Sequence, residues 1–250
     1  MIDLGDGSRP HGVITASDGA AWVTDGGRNS IMRVEPSSLA VTEYPLPVEA
    51  ADANLNTAAF ADNGILWFTG QEGWYGKVAD GTVSVHRAPR GRGPYGITVT
   101  PAGEIYFASL AGSYVGRIDG ATGETAVLEP PVPGQGARRV WSDSRGRVWV
   151  SAWNSGDVFA YDPVLDQWRS WRLPGDQPQP YAVFVDEADA VWLSDFAANA
   201  LVRFDPTTET FTSLALPSEH GQVRQLHGRP GEVWGAESAA DQLVVVRTSG

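Results

Sequence analysis

An all-β fold, a six-bladed β-propeller of four-stranded antiparallel blades, is predicted for this chain by three observations. A central aromatic recurs at Trp22, Trp67, Tyr106, Trp149, Trp192 and Trp234, at spacings of 45, 39, 43, 43 and 42 residues. Around each one lie short runs with β-branched and aromatic alternation, cut by Gly, Asp and Pro turns. No window sustains the apolar period of a helix, so helix is expected to be nearly absent. Repeats of this length, each a four-stranded meander, bury both sheet faces by stacking radially.

The units follow one another in order. The first opens with "PHGVITA", turns at "SDGA", and continues through the aromatic strand "AWVTD". A third strand, "IMRVEP", and a closing "VTEYPLP" complete it. The second unit is placed by Trp67. The third reads "PYGITVT", "PAGE", "IYFAS", "YVGRIDG" and "TAVLEPP". In the fourth, "DSRGR" precedes "VWVSA", "VFAYDP" and "WRSWRLP". "PYAVFVD", "VWLSD", "LVRFDP" and "FTSLALP" make the fifth. The sixth, around Trp234, stops at "LVVVRTSG" before a fourth strand. The leading "MIDLGDGS" is therefore expected to supply that outer strand and close the ring, giving a single domain over residues 1–250.

Composition bounds the function. Ten Trp in a chain that is 42% hydrophobic are ample for a large core. There is no cysteine, which excludes disulfides and thiolate metal sites. A net charge of −12 repels phosphates and argues against a nucleic-acid partner. No apolar run is long enough for a bilayer, and the start lacks a basic segment followed by an apolar one. A soluble cytoplasmic monomer acting on a small molecule in the propeller channel is the expectation.

Antiparallel pairing of the first two strands places the residue after the opening proline beside the residue three past the central aromatic. Blade by blade this pairs His11 with Asp25, Asn56 with Gly70, Tyr95 with Ser109, and Arg138 with Ala152. Tyr181 then pairs with Asp195, and Val223 with Glu237. Asp195, Glu237 and Asp25 fall on blades five, six and one, which circular order makes neighbours. Asn56, Ser109, Tyr95 and Arg138, with Trp153 beside them, form a neutral and basic wall opposite. Oxygen and imidazole ligands favour Mg²⁺, or Ca²⁺ as the alternative, over a soft metal. A solvated, turn-capping role is the competing expectation for each rim aspartate.

The unit "RPHGVITASDGAAWVTDGGRNSIMRVEPSSLAVTEYPLP" resembles the repeat of the virginiamycin B lyase (streptogramin B lyase) family. The shared features are the Pro-His/Tyr-Gly-Ile/Val opening, the Trp-Phe/Val-Thr strand, the Gly/Met-Arg/Lys-Val/Ile strand and the "TEYPLP" ending. The resemblance implies a carbon–oxygen lyase, tied to antibiotic resistance, that opens a cyclic depsipeptide by Mg²⁺-assisted elimination with a histidine base. A cation polarises the carbonyl while a neutral imidazole takes the weakly acidic proton beside it. Carried onto this sequence, Glu237 after "EVWGA" matches the family's last glutamate. Glu219 and His220 of "SEHGQVRQ" resemble its Glu-Pro-His-Gly, without the proline. Tyr181 stands where the family has a penultimate-blade histidine, and His11 of "RPHG" is a candidate substitute across the ring junction.

The resulting expectation names His11, His220 and Glu237 as catalytic, and Glu219, Glu237, Asp25 and Asp195 as metal or electrostatic residues. Tyr95, Arg138, Trp153 and Tyr181 are expected to shape the substrate pocket. A non-catalytic binding propeller and a lactonase-type hydrolase are the alternatives. "GRGPYG" (Gly91 to Gly96) has dinucleotide-binding spacing but opens no helix, and no G-x-S-x-G elbow occurs. His86 is expected on a solvated outer strand and His227 in a turn. Trp168 and Trp171 are assigned to an outer strand.

Overall fold

The computed structural model describes residues 1–248. Within them the chain forms twenty-three strands and one short 3-10 turn, Val48–Ala50. Among the described residues no helix is long and apolar enough to cross a membrane. The strands make six antiparallel meander sheets, five of four strands and one of three, which are the six blades of the predicted propeller.

The chain divides into two compact units, residues 1–99 with 103–128, and residues 100–102 with those from 129 onward. The first unit holds blade one (β1 Pro10–Thr15, β2 Ala21–Asp25, β3 Ser30–Val34, β4 Val41–Pro45) and blade two (β5 Leu55–Phe60, β6 Leu66–Gly70, β7 Trp74–Ala79, β8 Thr82–Arg87). Blade three completes it (β9 Pro94–Val99, β10 Ile105–Ser109, β11 Tyr114–Ile118, β12 Thr125–Leu128). The second unit holds blade four (β13 Ala137–Ser142, β14 Val148–Ala152, β15 Asp157–Asp162, β16 Gln167–Arg172) and blade five (β17 Pro180–Val185, β18 Val191–Asp195, β19 Ala200–Asp205, β20 Thr210–Ala215). Blade six follows, with β21 Val223–Arg229, β22 Glu232–Glu237 and β23 Gln242–Arg247.

All six central aromatics lie on the second strand of their blade, as the repeat predicted. Trp67, Tyr106, Trp149 and Trp192 are fully or almost fully buried. Burying an indole requires a partner for its N–H. Trp149 Nε1 donates to Asp143 Oδ2 at 2.9 Å and Trp192 Nε1 to Asp186 Oδ2 at 2.7 Å, each aspartate coming from the preceding turn. Trp234 is exposed, on the sheet that has only three strands. Glycine on the third strand makes room for a ring: a Cβ on Gly116 would lie 2.3 Å from Phe107 Cε1.

A hydroxyl on the second strand latches consecutive blades. Thr24 Oγ1 accepts from Gly12 N at 3.1 Å and donates to the Asn56 carbonyl, on the next blade, at 2.7 Å. Thr69 accepts from Thr57 N and donates to the Tyr95 carbonyl. Ser151 accepts from Arg139 N at 3.1 Å and donates to the Tyr181 carbonyl at 2.7 Å. Ser194 accepts from Ala182 N at 3.0 Å. Ser151→Ala would strand a buried donor and a buried acceptor together. It is expected to cost about 2 kcal/mol, read as a fall of several degrees in Tm, whereas Ser151→Thr should keep most of the stability.

The N-terminus does not act as expected. Residues 1–9 form no strand, and β21, β22 and β23 remain a three-stranded sheet. Turns at Gly5 and Gly7, both with positive φ, stop the segment from extending. It is tied to blade one instead: Ser8 Oγ and Arg9 N bond the Asp25 carboxylate, and Arg28 Nη1 donates to the Asp6 carbonyl.

Two histidines also differ from expectation. His86 is half-buried, stacked on Tyr75 at 5.3 Å, and burial, followed by the nearby Lys77 charge, lowers its pKa. His227 lies within β21, exposed, against Phe184 and Trp141 rather than in a turn. Trp168 and Trp171 do lie on the outer strand β16, and Trp171 stacks on Trp149.

Candidate active site

The register at the start of each inner strand decides where the candidate residues point. The opening residue itself pairs with the residue three past the aromatic: Pro10 with Asp25, Leu55 with Gly70, Pro94 with Ser109, Ala137 with Ala152, and Pro180 with Asp195. The expected pairings of His11, Asn56, Tyr95, Arg138 and Tyr181 are therefore displaced by one residue. Only Val223 with Glu237 is as expected. The reason is a β-bulge, which takes the second residue out of the ladder and re-aims its side chain. His11, Asn56, Tyr95, Arg138 and Tyr181 all occupy this position.

The rim carboxylates are not alike. Asp25 is fully buried and accepts from Ser8 Oγ, Arg9 N (2.9 Å), Gly27 N (2.8 Å) and Arg28 N (3.0 Å). Burial pushes its pKa up, but the bonds from Ser8, Arg9, Arg28 and Gly27 outweigh this and hold it below the usual value. Asp195 repeats the arrangement, accepting from Gln179 N at 2.9 Å and from Ala197 and Ala198 N. Both aspartates brace a tight turn.

Glu237 occupies the equivalent position on β22, 1% exposed, and neither carboxylate oxygen has a hydrogen-bonding partner among the described residues. The turn explains the difference. The N–H groups that elsewhere bond the aspartate go here to backbone carbonyls: Ala239 N to Gly221 O at 3.3 Å, and Ala240 N to Glu237 O at 3.1 Å. The turn needs nothing from this side chain.

The loop from Ser218 to Gln222 lies over Glu237. Asn199 holds it at both ends, donating to Ser218 O at 2.7 Å and accepting from Gly221 N at 2.9 Å. A Cβ on Gly221 would sit 3.1 Å from Glu237 Cδ, so the backbone next to His220 lies close to that carboxyl. His220 itself is exposed and has φ +54°, a conformation that L residues adopt at a cost. Glu219, beside it, is exposed.

The predicted pocket residues of the second unit come together. The Arg138 guanidinium lies 3.6 Å over the Tyr181 ring and 4.7 Å from that of Trp153. Trp153 meets Tyr181 edge-on at 5.7 Å. Phe196, which the sequence reading missed, stacks on Tyr181 at 4.7 Å and meets Trp153 edge-on. Its signal was its place, directly after the rim Asp195. In the first unit, His11 is exposed, with Nδ1 3.1 Å from the Asn56 carbonyl, and Tyr95 is buried on β9.

This geometry tests the expected metal set. Among the described residues no group of three or more acidic or imidazole side chains gathers to hold an ion. Asp25 and Asp195 are engaged by their turns. Glu237, unlike those two aspartates, has both oxygens without a hydrogen-bonding partner among the described residues. That suits Mg²⁺ or Ca²⁺ held by one carboxylate and completed by ligand and water oxygens, not an ion caged by protein.

Asp25 carries a prediction of its own. Because its folded pKa is lowered, it stabilises the fold above its unfolded pKa of about 4, and that contribution is lost as pH falls through the folded value. Asp25→Asn should lower Tm at neutral pH and lose part of the wild-type decline below about pH 4. Thermal melts across that range check it.

A bladed all-β protein with a buried, unpartnered carboxylate at the end of a second strand is defined by these features. The chain belongs to the virginiamycin B lyase family, whose pattern matches residues 3–164. That match does not extend to Glu219, His220 and Glu237. No curated protein matches the chain in sequence.

Among solved structures, the fold is similar to a catalytically inactive His-to-Ala variant of virginiamycin B lyase from Staphylococcus aureus with quinupristin. The TM-score is 0.91 at 21% identity, covering 100% of this chain and 84% of that one. It is also similar to a streptogramin B lyase, with TM-score 0.85 and 24% identity over 93% and 78% of the two chains. The extracellular domain of a protein described as a one-component system from B. thetaiotaomicron shares the fold too. Its TM-score is 0.72 at 15% identity, over 98% of this chain and 37% of that one.

Proposed function

We propose that this protein is a carbon–oxygen lyase that opens a cyclic depsipeptide, or a related small ester, by elimination. One observation carries the reading: Glu237 is buried with both carboxylate oxygens lacking a protein partner, under the loop that presents His220. Buried carboxylates are nearly always satisfied, so this one is kept for an occupant that arrives with the ligand. Family membership and the inactivity of the relative's His-to-Ala variant support an imidazole-dependent reaction.

In this scheme His220 removes the proton from a carbon beside a carbonyl. The electron pair forms a carbon–carbon double bond, and the bond from the neighbouring carbon to the ester oxygen breaks, releasing a carboxylate. Water is not consumed. A divalent cation held by Glu237 supplies, when bound, the polarisation of that carbonyl. Arg138, Trp153, Tyr181 and Phe196 give the ligand an aromatic and cationic wall. Glu219 acts through its charge near His220, and His11 is the alternative base. Tyr95 is proposed to line the pocket, while Asp25 and Asp195 hold the rim turns in shape.

A second reading, a propeller that binds without turnover, is favoured by Tyr181. The tyrosine is buried and stacked where the family has a histidine. Incubation with quinupristin, with and without Mg²⁺ and chelator, separates the readings by product mass. A linear product of unchanged mass supports elimination. Gain of one water shows a lactonase-type hydrolase, and unaltered quinupristin sinks the lyase reading. Chelator-resistant turnover counts against the cation.

A further inference from the structure

We infer that Asn56, at the bulge of β5, is a ligand-binding residue whose side-chain amide donates to a single uncharged carbonyl oxygen. Asn56 is fully buried. Thr57 Oγ1 donates to its Oδ1 at 2.8 Å, which fixes the rotation of the amide. Nδ2, the donor end, has no hydrogen-bonding partner among the described residues. A buried amide N–H₂ without an acceptor is costly, and folded proteins almost always provide one.

The backbone of the same residue is held on two sides. Its carbonyl accepts from Thr24 Oγ1 at 2.7 Å and lies 3.1 Å from His11 Nδ1. A carbonyl can only accept, so Nδ1 donates in this contact. The bulge thus presents a pre-oriented donor on a residue whose backbone carbonyl meets the His11 ring. An uncharged donor in a protein of net charge −12 suits a neutral acceptor better than an anion. A peptide or ester carbonyl has that chemistry.

The test follows the Asn56 side-chain amide by heteronuclear NMR, assigned as the signal pair missing from Asn56→Ala. Isotope-labelled protein is titrated with quinupristin and, separately, with N-methylacetamide, the minimal peptide carbonyl. The inference expects the pair to shift, and Asn56→Ala to raise the Kd for quinupristin about 5- to 30-fold. If Asn56→Ala fails to fold, Thr57→Val, which releases the amide, should raise the Kd less but in the same direction. A shift with N-methylacetamide and no response to quinupristin supports the subsite and overturns the streptogramin reading. Quinupristin shifting other signals while the Asn56 pair stays still, with equal binding by Asn56→Ala, overturns the subsite and leaves the lyase reading standing. No movement with either compound shows that only a structural water occupies the amide, and overturns the inference.

Discussion

Glu237→Leu is expected to make the protein more stable, by about 1–2 kcal/mol, while lowering depsipeptide opening by at least about 100-fold. Leucine fills a similar volume without two buried acceptors that nothing in the protein satisfies. Replacing such a group by an apolar one of like shape removes a desolvation cost and strands no partner, since none is present. The same change removes the carboxylate proposed to hold the cation. A raised Tm with lost turnover, read by thermal melts and product mass, is the signature of a residue kept for chemistry. A lowered Tm would show that the carboxylate is structural.

The second large effect concerns the imidazole. A positioned general base contributes roughly 10²- to 10⁴-fold, and His220→Ala should lower turnover by an amount in that range. The fold should tolerate the change, because the side chain is exposed and the loop is held by Asn199 and Gly221. His220→Gly adds a sharper reading. With φ at +54°, glycine relieves backbone strain, so this variant should gain roughly 0.5–1 kcal/mol while remaining inactive. His11→Ala is the comparison: if it abolishes turnover and His220→Ala does not, His11 is the base. Full turnover in the double variant would remove both.

Much of this was legible before any coordinates. The aromatic period placed all six second strands, and the turn residues marked their ends. The one-residue error in the rim pairing arose because a bulge breaks the two-residue alternation without any local sequence mark. Asp25 and Asp195 looked like ligands because both end a strand on the rim. Their short side chains reach the N–H groups of the following turn, and that contest is settled by geometry. Glu237 differs by one methylene, and that difference was readable, although only the turn's own backbone bonding shows why it matters. Of the contacting side chains Arg138, Trp153, Tyr181 and Phe196, the sequence singled out all but Phe196.

The hydroxyl latches have a consequence for how the molecule breathes. The amides of Gly12, Thr57, Arg139 and Ala182 each donate to a buried hydroxyl. At the matching place on the second strand, blade three has Ala108 and blade six has Ala236, so the last blade of each compact unit offers no such acceptor. Slow solvent exchange should therefore run through the opening blades of a unit and fade at its final one. Transient openings would begin at Gly96 and Gln225, and the strand carrying the Glu237 corner would be among the first to loosen.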